Sequence, residues 1–113
     1  MARVVYSDFL LPAWADGRTL GPIVQIRPSA RNDAGLLAHE LDHVRQWREA
    51  PIRFYPRYLF SRRWRLRYEV EAFRAQLRLD PAALDTCSAL LATKYRLGIS
   101  FRDALNLLED FAP

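Results

Sequence analysis

Residues 33–49 read DAGLLAHELDHVRQWRE and contain both histidines of the chain, in the motif His39-Glu40-Leu41-Asp42-His43. Positions i and i+4 of a helix lie on the same face, where two imidazoles can bind one Zn²⁺. The glutamate between them can then activate a water molecule held by the metal. The motif makes a metal site the leading hypothesis, with His39 and His43 as ligands and Glu40 as the general base.

The same segment predicts an amphipathic helix that begins at Asn32 or Asp33 and ends at about Glu49, before Ala50-Pro51. On a helical wheel the two histidines lie where an apolar arc meets a polar arc, a position typical of a cleft floor. The apolar arc contains Leu36, Leu37, Leu41, Val44 and Trp47, and the polar arc contains Ala38, Asp42, Arg45, Gln46 and Glu49.

The N-terminal part of the chain predicts two short strands. Val4–Tyr6 and Ile23–Ile26 are rich in β-branched residues, and Asp16-Gly17 between them is a turn signal. We expect a hairpin or a small sheet that ends before Pro28, because proline cannot donate to a strand ladder.

The C-terminal part predicts three further helices, which with the motif helix makes about four. Ser61 can cap a helix over about 62–79, and Asp80-Pro81 can begin another that runs to about Leu97, with Gly98 as its stop. Ser100–Asp103 resembles a capping box that starts a last helix ending at about Asp110. Residues 51–60 contain two prolines and predict a packed connection. We therefore expect one α+β domain over residues 1–113.

A catalytic zinc site needs a third protein ligand, and the chain has no third histidine. Two carboxylates follow the motif, Glu69 and Glu71. On the wheel of their helix Glu69 has mostly apolar neighbours, whereas Glu71 lies among arginines at ion-pairing distance along the helix. A buried carboxylate must be paired or bound to a metal, so Glu69 is the preferred third ligand. Arg65 is the alternative partner for its charge.

The motif, followed 26 residues later by Glu69-Val70-Glu71-Ala72, resembles the gluzincin zinc metallopeptidases, in particular their very small bacterial and phage members. The resemblance covers roughly residues 22–76. It implies a minimal zincin-like fold, Zn²⁺ on His39, His43 and Glu69, Glu40 as general base, and a peptide or protein substrate.

The resemblance also implies that the strand ahead of the motif helix, Ile23–Arg27, pairs with an extended substrate. Two expected features of such enzymes are not visible in the sequence. No second subdomain is apparent, and the spacing of Tyr55, Tyr58 and Tyr68 selects none of them as the group that stabilises the oxyanion.

Composition limits the other functions. The net charge is +4, and eight of the sixteen arginines lie between Arg53 and Arg78. This cluster fits either a nucleic-acid or anionic-surface contact, or a solvated face in a chain that uses arginine in place of lysine. Nucleic-acid binding, and a zinc-binding domain without turnover that binds a protein partner, are therefore the alternative functions.

The cellular context is expected to be the cytoplasm. Cys87 is the single cysteine, so no internal disulfide can form. No apolar run approaches the roughly 20 residues of a membrane span. Asp8 interrupts the apolar stretch from Met1 to Trp14, which makes it a poor signal peptide. The sequence does not determine the oligomeric state.

Overall fold

The computed structural model describes residues 2–110, and it has an α+β fold as the sequence predicts. Over this range three strands precede five helices; one short 3₁₀ helix, Pro28–Ala30, lies between the last strand and the first helix, and another, Pro81–Ala83, lies between the third and fourth helices. The radius of gyration is 13.3 Å, about the value of a single domain of this length. The strands are β1 (Arg3–Tyr6), β2 (Gly17–Leu20) and β3 (Ile23–Ile26), and the helices are α1 (Ala34–Glu49), α2 (Phe54–Phe60), α3 (Arg62–Leu79), α4 (Leu84–Lys94) and α5 (Phe101–Leu108).

The sheet has the order β1-β3-β2, with β1 parallel and β2 antiparallel to the central strand β3. A hairpin of Val4–Tyr6 with Ile23–Ile26 is therefore wrong, because those two segments pair in parallel. The hairpin is β2–β3, and its two-residue loop is Gly21-Pro22, where Gly21 has the positive φ of 59° that such loops favour. Asp16-Gly17 is not the turn, since Gly17 begins β2.

Helix α1 begins where the sequence predicts, because the Asp33 side chain accepts a hydrogen bond from the Leu36 amide at 2.9 Å. The buried face of α1 differs from the wheel. Leu41 is 38% exposed, whereas Gln46 is 2% exposed. Helix α3 covers this side of α1, and the Gln46 amide donates to the Tyr68 carbonyl of that helix at 2.9 Å. The histidines are therefore buried, and their predicted place at the boundary of the polar arc is wrong.

Helix α2 replaces the predicted connection at residues 51–60. Pro56 is the third residue of this helix, where the missing N–H would have had no helical partner, so proline does not break it. Its buried residue Phe54 packs against Tyr68 of α3, with ring centroids 4.8 Å apart. The connection is thus a short helix that closes one side of the molecule.

The later helices follow the predicted order with corrected ends. Helix α3 has the expected bounds, and the Ser61 side chain accepts from the Trp64 amide. Pro81 begins a 3₁₀ helix, and α4 starts only at Leu84 and ends at Lys94. Gly98 (φ 67°) therefore lies in the loop beyond α4 and is not its stop. The capping box that begins α5 is present, and α5 ends at Leu108.

Two apolar clusters flank the pair formed by α1 and α3. One joins the sheet to α1 through Val24, Ile26 and Val44. The other joins α3, α4 and α5 and contains Phe73, Leu77, Cys87, Leu91, Leu97, Ala104 and Leu108. The contact between α1 and α3 therefore lies deep in the fold, and it carries the candidate site. Within residues 2–110 no helix is long and apolar enough to cross a membrane.

Candidate metal centre

Helices α1 and α3 bring together the three residues that the sequence put forward as metal ligands. His39 Nε2 lies 3.2 Å from Glu69 Oε1, and His43 Nε2 lies 3.2 Å from Glu69 Oε2. One ligand atom from each residue can be chosen so that all three lie within 4.8 Å of one another. All three side chains are buried. The cluster is therefore a buried group of two imidazoles and one carboxylate.

Glu71, the other candidate for the third ligand, and Arg65, the other candidate partner for the charge of Glu69, both have partners elsewhere. Glu71 accepts from Gln46 Nε2 at 3.0 Å and lies 3.3 Å from an Arg45 guanidinium nitrogen, away from the histidines. Arg65 donates to the main-chain oxygens of Tyr95 and Tyr58, both at 2.8 Å, and does not pair with Glu69. As the helical wheel of α3 predicts, Glu69 is therefore buried and Glu71 pairs with arginines.

Two glutamines orient the imidazoles, and the sequence reasoning missed both. His43 Nδ1 lies 2.8 Å from Gln46 Oε1, and His39 Nδ1 lies 3.1 Å from Gln76 Oε1. The Gln46 amide is fixed because its Nε2 donates to the Tyr68 carbonyl, so its oxygen must face His43. In the neutral imidazole that a metal ligand requires, a proton on Nδ1 donates to the glutamine oxygen and leaves Nε2, which faces Glu69, free to bind the metal. This is how outer residues hold metal-binding histidines.

A spacing signal for both glutamines was present in the sequence. Gln46 is three residues after His43, and Gln76 is seven residues after Glu69, so each lies on the same helix face as a predicted ligand. A search for amide partners at helical spacing would have found them.

The carboxylate of Glu69 shows that a positive charge belongs here. Tyr58 donates a hydrogen bond to Oε2, whereas Oε1 is buried and has no hydrogen-bond donor among residues 2–110. His39 Nε2 lies 3.2 Å from Oε1 and, in the tautomer whose Nδ1 donates to Gln76, has no proton to give it. A buried carboxylate oxygen without a donor is costly. The 3.2 Å separations are close to the ~3.3 Å between ligand atoms that two zinc bonds of 2.0–2.1 Å span at the tetrahedral angle.

The contacts between Glu69 and the histidines shift the pKa values of Glu69 and His43. Burial alone would raise the pKa of Glu69, but the charge of His43 and the contacts with both imidazoles hold that pKa well below its usual range. Burial alone would lower the pKa of His43, but the Glu69 carboxylate prevails and raises it. With no metal bound, a proton on His43 supplies the positive charge, so a metal ion must compete with that proton.

Glu40 lies beside the cluster and is also buried. The Thr19 hydroxyl of β2 lies 3.1 Å from Glu40 Oε1 and 3.0 Å from its main-chain oxygen, and it donates to one of them. Gly17 leaves room here, because a Cβ at that position would lie 3.4 Å from Glu40 Cγ and 3.0 Å from Ile26 Cδ1. The strand thus positions the carboxylate from outside helix α1.

A pocket of about 300 Å³ opens onto Glu40 and the three-residue cluster. Apart from Glu40 and the cluster, its walls come from β2, from helix α2, from the loop of residues 7–16 that joins β1 to β2, and from Tyr95 at the end of α4. They are formed mainly by apolar and aromatic side chains: Leu10, Pro12, Trp14, Ala15, Phe54, Tyr55, Tyr58 and Tyr95. The cluster can therefore be reached by a small group or by the side chain of a larger molecule.

The tyrosines have distinct places. Tyr55 accepts a hydrogen bond from the Gly21 amide at 2.6 Å, and Tyr68 is buried under α2, so neither hydroxyl is free in the pocket. Tyr58 and Tyr95 line the pocket, and burial followed by the charge of Glu69 raises the pKa of each phenol. Tyr95, which the sequence reasoning missed, makes no side-chain hydrogen bond to any other described residue.

The strand expected to pair with a substrate is the wrong one. Both edges of β3 are occupied, by β1 on one side and by β2 on the other. The strand that borders the pocket is β2, through Gly17, Arg18 and Thr19, and no second described strand covers its outer edge.

Comparison of the chain with protein-family models, with curated proteins and with solved structures gives no match. The resemblance to gluzincins therefore stays a prediction from the motif residues.

Proposed function

We propose that the protein is a zinc-dependent peptidase, with His39, His43 and Glu69 as metal ligands and Glu40 as general base. The observation that carries this proposal is the buried Glu69 carboxylate between two imidazole Nε2 atoms, with one oxygen left without a donor. Two histidines and a glutamate are a ligand set of catalytic zinc sites, which keep a fourth position for water.

The chemistry divides among these residues. Zinc, when bound, supplies a water molecule of lowered pKa and a Lewis acid for the substrate carbonyl. Gln46 and Gln76 hold the imidazoles in the tautomer that leaves Nε2 free. Glu40 accepts a proton from the attacking water and delivers it to the leaving amine, and Thr19 keeps the carboxylate in place. The Tyr95 hydroxyl is the candidate donor to the carbonyl oxygen as charge develops there.

The pocket supports a peptide substrate with an apolar side chain next to the scissile bond. The pocket walls away from the cluster are mainly apolar, and Arg18 Nε donates a hydrogen bond to Gln25 Oε1 at 2.7 Å. The uncovered edge of β2 offers main-chain groups to an extended peptide, as in strand addition to other sheets. The buried free thiol of Cys87 agrees with action in the reducing cytoplasm.

The decisive experiment compares Glu40→Gln with wild type in a peptide-library digest, with metal content measured on both. The variant keeps the side-chain size but cannot accept a proton. We expect one zinc per chain in each protein and hydrolysis at least about 10²-fold slower in the variant.

Glu49→Gln is the matched control, because Glu49 lies on the same helix and its exposed side chain hydrogen-bonds to Arg45 alone among residues 2–110. It should retain full activity. Chelator-sensitive cleavage that survives Glu40→Gln would contradict the mechanism. Zinc binding without cleavage of any peptide in the library would favour the non-catalytic zinc domain.

A further inference from the structure

The outward face of α2 is apolar and exposed. Ile52, just before the helix, is 87% exposed, Phe60 is 86% exposed and Leu59 is 61% exposed. Pro51 and Pro56 are exposed beside them. Pro56, Leu59 and Phe60 have the spacing of one side of α2, and Pro51 and Ile52 immediately precede the helix. We call this surface, Pro51, Ile52, Pro56, Leu59 and Phe60, the α2 face.

Positive charge surrounds the α2 face. Residues 50–68 contain six arginines and no acidic residue. Arg53, Arg62 and Arg63 are exposed and form no ion pair with any residue between 2 and 110. The partner of this surface must therefore accept apolar side chains and carry negative charge.

We propose that the α2 face docks onto an anionic lipid bilayer. Side chains as exposed as Ile52 and Phe60 protrude, and a fluid bilayer accepts protruding side chains without a shaped groove. Aliphatic groups stack on no nucleic-acid base, so a nucleic acid would use the arginines and leave Ile52 and Leu59 in water. Apolar residues rimmed by arginine are the pattern of helices that lie in the interface of anionic membranes.

The position of α2 connects this surface to the pocket. Phe54, Tyr55 and Tyr58 point from α2 into the pocket wall, on the side opposite the α2 face. Leu59 lies with Trp14 and Lys94 around a neighbouring hollow. Docking through α2 would hold the pocket beside the lipid surface. This inference does not depend on the metal, because none of the residues of the α2 face touches the three-residue cluster.

The test is co-sedimentation of the whole chain with unilamellar vesicles, in chelator. We expect binding to vesicles of equal parts phosphatidylcholine and phosphatidylglycerol, and none to phosphatidylcholine alone. Arg62→Gln with Arg63→Gln should weaken binding about 30-fold, from the known effect of each arginine near an anionic surface. Ile52→Ser with Phe60→Ser should weaken it at least about 10-fold, because those side chains leave water on docking.

The matched control is Arg78→Gln with Leu79→Ser, an exposed arginine and an exposed leucine at the far end of α3. These changes should leave vesicle binding unaltered. Circular dichroism of every variant shows whether the fold is kept. Equal binding to both kinds of vesicle, or binding insensitive to Ile52→Ser with Phe60→Ser, would overturn the proposal. Binding of a single-stranded oligonucleotide that vesicles fail to displace would also overturn it, in favour of nucleic acid.

Discussion

Replacing Glu69 with glutamine tests the metal centre most directly. The amide keeps the size of the side chain but removes the charge that faces both Nε2 atoms at 3.2 Å. Loss of a residue that merely supports a ligand costs 10–100-fold in metal affinity, so loss of the charged ligand should cost at least about 100-fold. Glu71→Gln is the control, because Glu71 contacts Arg45 and Gln46 instead.

The size of the thermal shift follows from the length of the chain. At roughly 2.1 cal/mol/K per residue, the 113 residues unfold with an entropy of about 240 cal/mol/K. Zinc at 100 times its Kd stabilises a protein by about 2.7 kcal/mol, which corresponds to a rise in Tm of about 11 °C. At the same zinc concentration a 100-fold weaker site gains about 0.4 kcal/mol, or roughly 2 °C.

Differential scanning fluorimetry with and without zinc measures both shifts. Wild type and Glu71→Gln should each rise by about 11 °C, and Glu69→Gln by about 2 °C. The same large rise in Glu69→Gln as in wild type would refute the assignment of Glu69 as a ligand. A small rise in Glu71→Gln alone would show that the two glutamates had been assigned in reverse.

Three further outcomes are expected. Gln46→Leu should lower zinc affinity about 10-fold or more and destabilise the fold by roughly 1–3 kcal/mol, because the Nδ1 proton of His43 and the Tyr68 carbonyl lose their partners. Zinc titration and urea unfolding measure the two effects, and an unchanged zinc affinity would show that Gln46 does not orient His43. In chelated protein the His43–Glu69 pair should contribute most to the free energy of unfolding between about pH 4.5 and 6.5, because the raised His43 pKa makes the contribution fade as pH rises from 6.5 through about 10 and the lowered Glu69 pKa makes it fade as pH falls below 4.5. Urea unfolding of wild type and of Glu69→Gln across this pH range measures the contribution as the difference between the two proteins, and a difference that keeps growing above pH 7 would contradict the prediction. Burial raises the pKa of Cys87 to about 12, so its thiol should react with a disulfide reagent at pH 8 only after unfolding, and rapid reaction of the native protein would mean that α3 and α4 open readily.

The proximity of His39, His43 and Glu69 could be predicted from the sequence because local periodicity decides it. Spacing along α1 aligns His39 with His43, and spacing along α3 separates Glu69 from Glu71. The burial of Gln46 could not be read from α1 alone, because it depends on a hydrogen bond to α3 that apolar periodicity does not register. Tyr95 enters the pocket from the end of α4, and nothing in its own segment indicates that.

The errors in the fold also have physical causes. Strand β2 carries only one large apolar residue, Leu20, so hydrophobic alternation is too weak to reveal it. Once β2 is missed, the Gly21-Pro22 loop has no role and the hairpin is given to the wrong pair of strands. Helix α2 was overlooked because the two prolines of residues 51–60 predicted a packed connection, although proline is tolerated in a first helical turn.

The loop of residues 7–16 has a consequence for how the protein could change over evolutionary time. Its hydrogen bonds run to the sheet and the chain that directly follows it: Arg27 donates to the main-chain oxygens of Pro12 and Ala15, and Gln25 donates to those of Ser7 and Phe9. The three-residue cluster, by contrast, is carried entirely by α1 and α3. Insertions or substitutions in this loop can therefore reshape the pocket wall while the ligands stay in register. The wall of the pocket and the residues of the proposed metal site can thus change independently of each other.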